Sequence, residues 1–150
     1  MIDTHTHLYS EEFDEDRTEM IKRAINKGVT EFYLPAIDSD SHEKMLQLET
    51  EFPHQIFAMM GLHPCYVKPE TYLQEMNHVE KLLQEKKFFA VGEIGIDLYW
   101  DKTTLDIQKE AFKFQIQLAK KHQLAINIHC RDAFDEVFEV AYAAELTTFA

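Results

Sequence analysis

The feature that most constrains this chain is a regular alternation between short apolar runs and longer amphipathic segments. Five runs of strand length occur, and they span residues 2–8, 30–37, 56–62, 88–96 and 124–129. Each run is followed by a segment whose apolar residues recur at helical spacing. Serial strand–helix units of this kind predict an α/β fold with a mainly parallel sheet and right-handed crossovers.

The helical segments also carry signals for where they begin. Helices are expected at residues 14–27, from 38–41 to about 51, along 73–83, from 103 or 104, and from about 133. The short polar side chains at 38–41 and at Thr103 or Thr104 suit the N-cap position. On the last three helices the stripes expected to face the core are Leu73, Met76, Val79 and Leu83, then Ile107, Ala111, Phe114 and Leu118, then Phe134, Val137, Phe138 and Ala141.

Length and composition bound the architecture. The chain has 150 residues, 45% of them hydrophobic, which fits a single domain over residues 1–150 and excludes a disordered chain. Serial strand–helix units close either as an open doubly wound sheet or as a (β/α)₈ barrel. Length favours the open sheet, because barrels take about 250 residues.

The charge balance limits the ways in which this chain could bind nucleic acid. Asp and Glu number 27 against 15 Lys and Arg, a formal net charge of −12. This argues against a broad basic surface, but it is compatible with a phosphate-handling site built around metal cations. Two distant cysteines, no apolar run of about 18 residues and no signal-like N-terminus favour a cytoplasmic enzyme or binding domain.

The first strand ends in a pair of histidines that suggests chemistry. Asp3, His5 and His7 alternate, so they should project to one face of a strand. Two imidazoles at this spacing can bind one cation, although a pair of hydrogen-bonded surface histidines would look the same.

Three further strands also end in groups that bind metals or transfer protons. They carry His63 after the third strand, Glu93 and Asp97 on the fourth, and His129 followed by Arg131 on the fifth. The carboxyl ends of parallel strands are where α/β proteins bind ligands. Glu93 follows an apolar run, where a carboxylate needs a cation or hydrogen-bonding partners; a buried ion pair with Arg131 is the alternative.

Four segments in this order resemble the TatD family of metal-dependent deoxyribonucleases, within the amidohydrolase-like barrels. They are residues 2–8 (IDTHTHL), 61–64 (GLHP), 91–97 (VGEIGID) and 128–133 (IHCRDA). The residues Gln108, Phe112, Gln115 and Ala119 also suit the family's pattern, although plain core packing explains such a stripe equally well. The resemblance implies a TIM (β/α)₈ barrel, of which this chain carries about five units, and a hydrolase that cleaves the phosphodiester bonds of DNA.

The resemblance also implies a binuclear site. His5 and His7 would hold the first of two divalent ions (Mg²⁺, Mn²⁺ or Zn²⁺), Glu93 would bridge both, and His129 would bind the second. His63 would contact the substrate phosphate, so Glu93 and His63 are the expected catalytic residues. The expected substrate is DNA, single-stranded or at its ends.

Other polar residues receive less definite roles. Arg131 is expected to contact substrate or to pair with a carboxylate of the barrel. Asp97 and Asp3 are expected to orient the metal ligands, with a loop or helix-capping role equally open for Asp97. The remaining histidines fall in or beside helical segments and are interpreted as surface residues: His42, His54, His78 and His122.

The sequence departs from the family pattern after residue 140. A further metal-binding His after the sixth strand and an acidic pair after the eighth are absent from these 150 residues. We therefore expect a fragment, a truncated reading frame, or a chain that self-associates through the exposed edges of its first and fifth strands. Two other functions stay open: hydrolysis of a small amide or ester, since fold does not fix substrate, and a non-catalytic metal-binding remnant.

Overall fold

The computed structural model describes residues 1–145, so residues 146–150 of the predicted domain lie outside it. The described part has five strands: β1 (Ile2–Asp3), β2 (Glu31–Leu34), β3 (Ile56–Ala58), β4 (Ala90–Asp97) and β5 (Ala125–Arg131). Its α-helices are α1 (Arg17–Asn26), α2 (Ser39–Glu51), α3 (Tyr72–Glu85), α4 (Leu105–His122) and α5 (Phe134–Ala143). Two short 3₁₀ turns, Glu11–Phe13 and Pro64–Tyr66, complete the regular structure of these residues.

The strands lie side by side in the order in which they occur in the chain. β1, β2 and β3 pair in parallel, as do β4 and β5. A parallel bridge from Met60 to Val91 joins the two groups just beyond β3, where the Met60 amide donates to the Ala90 carbonyl at 3.1 Å. Sequential order without a reversal is the order of a barrel, not of a doubly wound sheet. The α/β prediction with parallel strands is confirmed.

Three strands end earlier than the apolar runs predicted. β1 ends at Asp3 instead of residue 8, β2 at Leu34 instead of residue 37, and β3 at Ala58 instead of residue 62. The segments beyond them remain attached to neighbouring backbone: the Thr6 amide donates to Tyr33 O at 3.1 Å and the His63 amide to Ile37 O at 2.9 Å. His5, His7 and His63 therefore lie on anchored loops and not on strands.

The core lies between the sheet and the helices that cover it. All eight residues of β4 are buried, whereas β5 is half-buried along most of its length. Within the part described, β1 and β5 each pair with one strand. Among these residues, no helix combines the length and the hydropathy needed to cross a membrane.

Three residues predicted to face the core do not. Leu73 on α3 is exposed, and so are Phe134 and Phe138 on α5, while the other members of those stripes are buried. These three residues lie at the borders of their apolar stripes, where the helical pattern alone does not distinguish a core position from a surface one.

His42 was expected at the surface, and this expectation is wrong. Its side chain lies on the core-facing stripe of α2 with Met45 and Leu48 and is 2% exposed. The ring stacks on His78 with centroids 5.1 Å apart, and burial lowers the pKa of His42 to about 4. His78 is partly buried as well, as is His122, and His54 is exposed as expected.

The two expected caps have different outcomes. Asp38 caps α2 as predicted, because its carboxylate accepts from the Ser41 amide at 3.0 Å and the Ser41 hydroxyl completes a capping box. Thr104 precedes α4 but its hydroxyl caps no backbone amide. Instead it accepts from Gln108 Nε2 at 2.9 Å.

Two buried glutamines attach α4 to the ends of the strands. Gln115 accepts from the Leu62 amide at 2.7 Å and donates to the Leu62 carbonyl at 3.2 Å. Gln108 likewise accepts from the Asp97 amide at 2.8 Å and donates to the Asp97 carbonyl at 3.1 Å. Each side-chain amide thereby pairs the backbone N–H and C=O of one residue. Leu62 precedes His63, and Asp97 carries a carboxylate of the site.

We predict that replacing Gln115 destabilises the fold. In a Gln115→Leu chain the buried amide and carbonyl of Leu62 lose their partner, which costs about 1–3 kcal/mol for each group. Urea unfolding measures the loss. The matched control is Gln117→Leu on the exposed face of the same helix, which should stay within about 0.5 kcal/mol of the parent. Equal stability of the two variants would contradict the assignment.

Candidate metal centre

Four histidines and one carboxylate converge at the carboxyl ends of the strands. Glu93 lies at the centre: one of its oxygens is 3.0 Å from His5 Nε2 and 3.6 Å from His7 Nε2. The other oxygen is 2.8 Å from His129 Nδ1 and 3.7 Å from His63 Nε2. The structure thus brings together all the residues predicted as metal ligands, together with His63.

Glu93 reaches this position through an irregularity in β4. The pairing register between β4 and β5 shifts by one residue between Val91 and Ile94, which marks a β-bulge at Gly92 and Glu93. Bulges of this kind re-aim a side chain beside a site. Burial alone would raise the pKa of Glu93, but hydrogen bonds from His129 and His5 outweigh it and hold that pKa far below its usual range. The carboxylate is therefore charged.

Gly95 allows β5 to approach closely. Its φ is +148°, a conformation that side chains rarely adopt, and a Cβ there would lie 2.0 Å from the carbonyl oxygen of His129. Without a glycine at this position, the His129 backbone could not lie so near to β4. The glycine thus contributes to the distance between His129 and Glu93.

His5 is the most open of the four histidines. A hydrogen bond to Glu93 raises its pKa, and the nearby charge of Asp3 adds to the effect. Asp3 does not contact the imidazole; its carboxylate accepts from the backbone amide of His5 at 3.3 Å. Asp3 therefore fixes the loop that carries His5.

His7 is held in one tautomer by Tyr9. The buried Tyr9 hydroxyl donates to the Pro35 carbonyl at 2.6 Å, so its oxygen accepts a proton from His7 Nδ1 at 2.8 Å. With Nδ1 protonated in the neutral ring, Nε2 keeps its lone pair on the side of Glu93. A lone pair that faces a carboxylate is an arrangement that a cation stabilises.

His129 lies between two carboxylates. Its Nδ1 is 2.8 Å from Glu93 Oε1 and its Nε2 is 2.8 Å from Asp97 Oδ2. Burial lowers the pKa of His129, but the hydrogen bonds to Glu93 and Asp97 outweigh this and raise it above its usual value. Once one proton leaves, the Asp97 contact retains the other on Nε2 and leaves Nδ1 as the donor atom for a cation, as in carboxylate–histidine–metal sites.

Asp97 makes contacts that are compatible with both of the roles left open for it. While Oδ2 contacts His129, Oδ1 accepts from the backbone amides of Tyr99 at 3.0 Å and Trp100 at 3.4 Å. The carboxylate thus orders the loop after β4 as well as the imidazole. Burial opposes its charge, but these hydrogen bonds lower the pKa of Asp97 overall.

The environment of His63 differs from that of the other three imidazoles. The Cys65 amide donates to its Nδ1 at 3.1 Å, so in the neutral ring the proton lies on Nε2. Burial lowers the pKa of His63 to about 4, which keeps it neutral at physiological pH. A protonated Nε2 donates hydrogen bonds and does not ligate a metal. The geometry of His63 therefore favours contact with an anionic ligand.

The donor atoms fit divalent cations. Two groups of residues are close enough to hold an ion, His5 with His7 and Glu93, and His63 with Glu93 and His129, and the carboxylate is common to both. In the second group the lone pairs are offered by Glu93 and His129, since His63 Nε2 carries a proton. Imidazole and carboxylate are usual ligands for first-row transition dications. A carboxylate shared by two groups is compatible with a bridging role.

Arg131 lies at the mouth of the site without an acidic partner among residues 1–145. Its guanidinium stacks instead over the Tyr99 ring, with the Cζ atom 3.7 Å from the ring centroid. The ion pair with Glu93 that was considered from the sequence is therefore not formed, because histidines occupy that carboxylate.

Sequence reasoning singled out Asp97 and Asp3 but missed the supporting contacts of Tyr9, Gln108 and Gln115. Tyr9 is two residues beyond His7, and its alternation with His5 and His7 was the available signal. The polar positions of the Gln108 and Gln115 stripe were also a signal, since amides at buried helix positions need partners. Their partners lie up to 53 residues away in the chain, which sequence spacing does not reveal.

Comparison with known proteins agrees with this arrangement. Residues 2–149 match the family described as "TatD related DNase". A Bacillus subtilis protein named "Uncharacterized metal-dependent hydrolase YabD" is 36% identical over 140 residues, covering 93% of this chain and 54% of the relative. A Pantoea protein named "3'-5' ssDNA/RNA exonuclease TatD" is 29% identical, over 90% of this chain and 52% of the relative. The chain spans about half the length of the curated relatives that it matches.

Solved structures agree as well. The crystal structure of YjjV, a TatD homologue from Escherichia coli K12, superposes with a TM-score of 0.87 at 27% identity, over 97% of this chain and 56% of that one. A TatD-family hydrolase from Entamoeba histolytica gives a TM-score of 0.79 at 20% identity, which supports the fold alone. The βα units described above are therefore part of a TatD barrel. With its four motifs assembled around Glu93 and a family match over nearly its whole length, the chain belongs to the TatD-related DNase family.

Proposed function

We propose that this chain is a TatD-type hydrolase that cleaves phosphodiester bonds of DNA with two divalent ions. His5 and His7 would hold one ion, His129 the other, and Glu93 would bridge them. The observation that carries the proposal is the single buried carboxylate of Glu93, with one oxygen facing His5 and His7 and the other facing His129.

The chemistry of a phosphodiester suits these residues. When bound, two divalent ions neutralise phosphate oxygens and lower the pKa of a coordinated water to supply the nucleophile. The chain's own part is positioning: Tyr9 fixes the donor atom of His7, and Asp97 fixes that of His129. His63, neutral and protonated on Nε2, would donate to a phosphate oxygen.

DNA is favoured as the substrate by the family and by the names of relatives. The relatives from Pantoea and Salmonella typhimurium are named as exonucleases of single-stranded DNA and RNA. Arg131 would then contact the substrate at the mouth of the site, since its guanidinium has no carboxylate partner in the described part of the chain. We extend this substrate class to the present chain, with a single strand or a strand end as the form that reaches the ions.

The direct test is turnover of single-stranded DNA. The purified chain is incubated with a labelled oligonucleotide and Mg²⁺, Mn²⁺ or Zn²⁺, and the products are separated by size. We expect shortening or nicking that EDTA abolishes and that His7→Ala lowers by about 10²-fold or more. His54→Ala, an exposed histidine away from the site, is the matched control and should retain full activity. Absence of turnover with every metal would refute the proposal for this chain.

Binding of metal should depend on pH in a defined direction. In the metal-free chain the pKa values of His5 and His129 are raised, so their contribution to stability is complete below about pH 6.5 and is lost as pH rises through their folded-state pKa values. Metal binding requires neutral imidazoles, so it competes with protons.

We therefore expect Mn²⁺ to raise the melting temperature more at about pH 8 than at about pH 6. Differential scanning fluorimetry with and without EDTA measures the shift. His5→Gln should reduce the shift at the higher pH. A shift that is the same at both pH values would argue against histidine ligands.

Tyr9 offers a test of ligand positioning. In Tyr9→Phe the proton on His7 Nδ1 loses its acceptor, and the ring is no longer held with Nε2 toward Glu93. We expect the affinity for Mn²⁺ to fall by about 10–100-fold, measured by isothermal titration calorimetry. The matched control is Tyr33→Phe, whose hydroxyl bonds to Glu31 away from the metal centre. Equal affinities in the two variants would exclude this role.

A further inference from the structure

We propose that Tyr99, Trp100 and Arg131 form a stacking platform that binds a base of a single-stranded nucleic acid beside the metal centre. This inference rests on the proposed function, since it gives that function a surface that recognises the form of the substrate. The three residues come from the loop after β4 and from the end of β5.

The aromatic rings of the platform are open to solvent. Tyr99 is 53% exposed and Trp100 is 71% exposed, although both lie within three residues of the end of the most deeply buried strand. The two rings meet edge to face, with centroids 4.8 Å apart. An exposed pair of large rings at the mouth of a site is typical of a surface that contacts a ligand. Every base offers a flat face that stacks on such rings.

Arg131 adds a positive charge to the platform. Its guanidinium lies 3.7 Å from the centroid of Tyr99 and 5.6 Å from that of Trp100. Stacking holds the side chain in place without neutralising it, because no carboxylate pairs with it in residues 1–145. A planar cation against aromatic rings suits a nucleotide, whose base stacks and whose phosphate is anionic.

The platform is tied to the metal centre by Asp97. One oxygen of this carboxylate accepts from the amides of Tyr99 and Trp100, and the other contacts His129. The loop and the imidazole are therefore fixed by opposite sides of a single side chain. We expect a nucleotide whose phosphate is bound at the metal centre to place its base on these rings.

The charges next to the platform are mixed. Lys68 lines a small cavity next to Trp100, together with Asp97 and Asp101. The Asp101 carboxylate accepts from the amide and the hydroxyl of Thr103, at 2.8 Å and 2.6 Å.

Bases in a duplex are already stacked on their neighbours and cannot lie on the rings without being displaced. The platform therefore selects unpaired bases.

Trp100 supplies the signal for a direct test, since it is the one tryptophan in the 150 residues. The full chain is titrated at low salt in EDTA with three probes: a short oligothymidylate, the same length of abasic deoxyribose phosphate, and a duplex of equal length. We expect the oligothymidylate to quench the indole fluorescence and to bind about tenfold more tightly than the abasic strand, a difference of about 1.4 kcal/mol.

Variants of Trp100 test whether its ring stacks on a base. Trp100→Ala should remove the preference for oligothymidylate over the abasic strand, measured by fluorescence anisotropy of a labelled probe, and Trp100→Phe should retain most of it. The control is Phe89→Leu, since Phe89 is 51% exposed but lies at the opposite end of β4. Circular dichroism verifies that each variant is folded.

The outcomes distinguish this inference from the proposed function. Base-dependent quenching without any hydrolysis in the presence of metal would support the platform and overturn the nuclease. Hydrolysis of DNA by a chain whose fluorescence does not respond up to millimolar oligothymidylate, or equal binding of bases and abasic strand, would overturn the platform alone. A preference for the duplex would also overturn it.

Discussion

The structure around the site depends on one charge, the carboxylate of Glu93 inside a strand that is buried throughout. An isolated carboxylate in such a position would be strongly unfavourable. Here its two oxygens face imidazoles that arrive from beyond β1, beyond β3 and from β5, so its compensation requires the ends of these strands to meet. Removing a partner would leave the charge less compensated, which is more costly than never burying it. The fold is therefore stable only when the ends of these strands bring the imidazoles to Glu93.

Neutral hydrogen bonds stabilise the scaffold behind this charged centre. Gln108 and Gln115 each pair both backbone groups of one strand-end residue, Asp97 and Leu62, and neither glutamine titrates. The attachment of α4 is therefore insensitive to whether the imidazoles carry protons or ligate metal. The site can therefore change its charge while Gln108 and Gln115 keep their hydrogen bonds to Asp97 and Leu62.

The sequence allows prediction of what depends on local order along the chain. Strand periodicity and the residue types at strand ends were sufficient for the parallel α/β fold and for expecting the candidate ligands at one edge of the sheet. The choice of His5, His7, Glu93 and His129 as the metal ligands came from the resemblance to the TatD family. Features set by packing between distant segments were not predictable. His42 is buried because His78 from another helix lies against it, and the ring of His7 is oriented by a hydroxyl that also needs the Pro35 carbonyl. The early end of β1 likewise depends on where β2 offers partners.

The acidic composition of the chain limits where an anionic ligand can bind. With a net charge of −12, these 150 residues taken together repel a polyanion, so attraction must come from a small region. The groups proposed to attract phosphate or bases lie within that region: the ligands for cations around Glu93, the neutral donor His63, and Arg131 on its aromatic rings. Under the proposed function few phosphates would be contacted, so binding would depend less on salt than it does for proteins with broad basic surfaces. Recognition would then be confined to the few nucleotides beside the cleaved bond, as in a protein that acts on strands without reading an extended sequence.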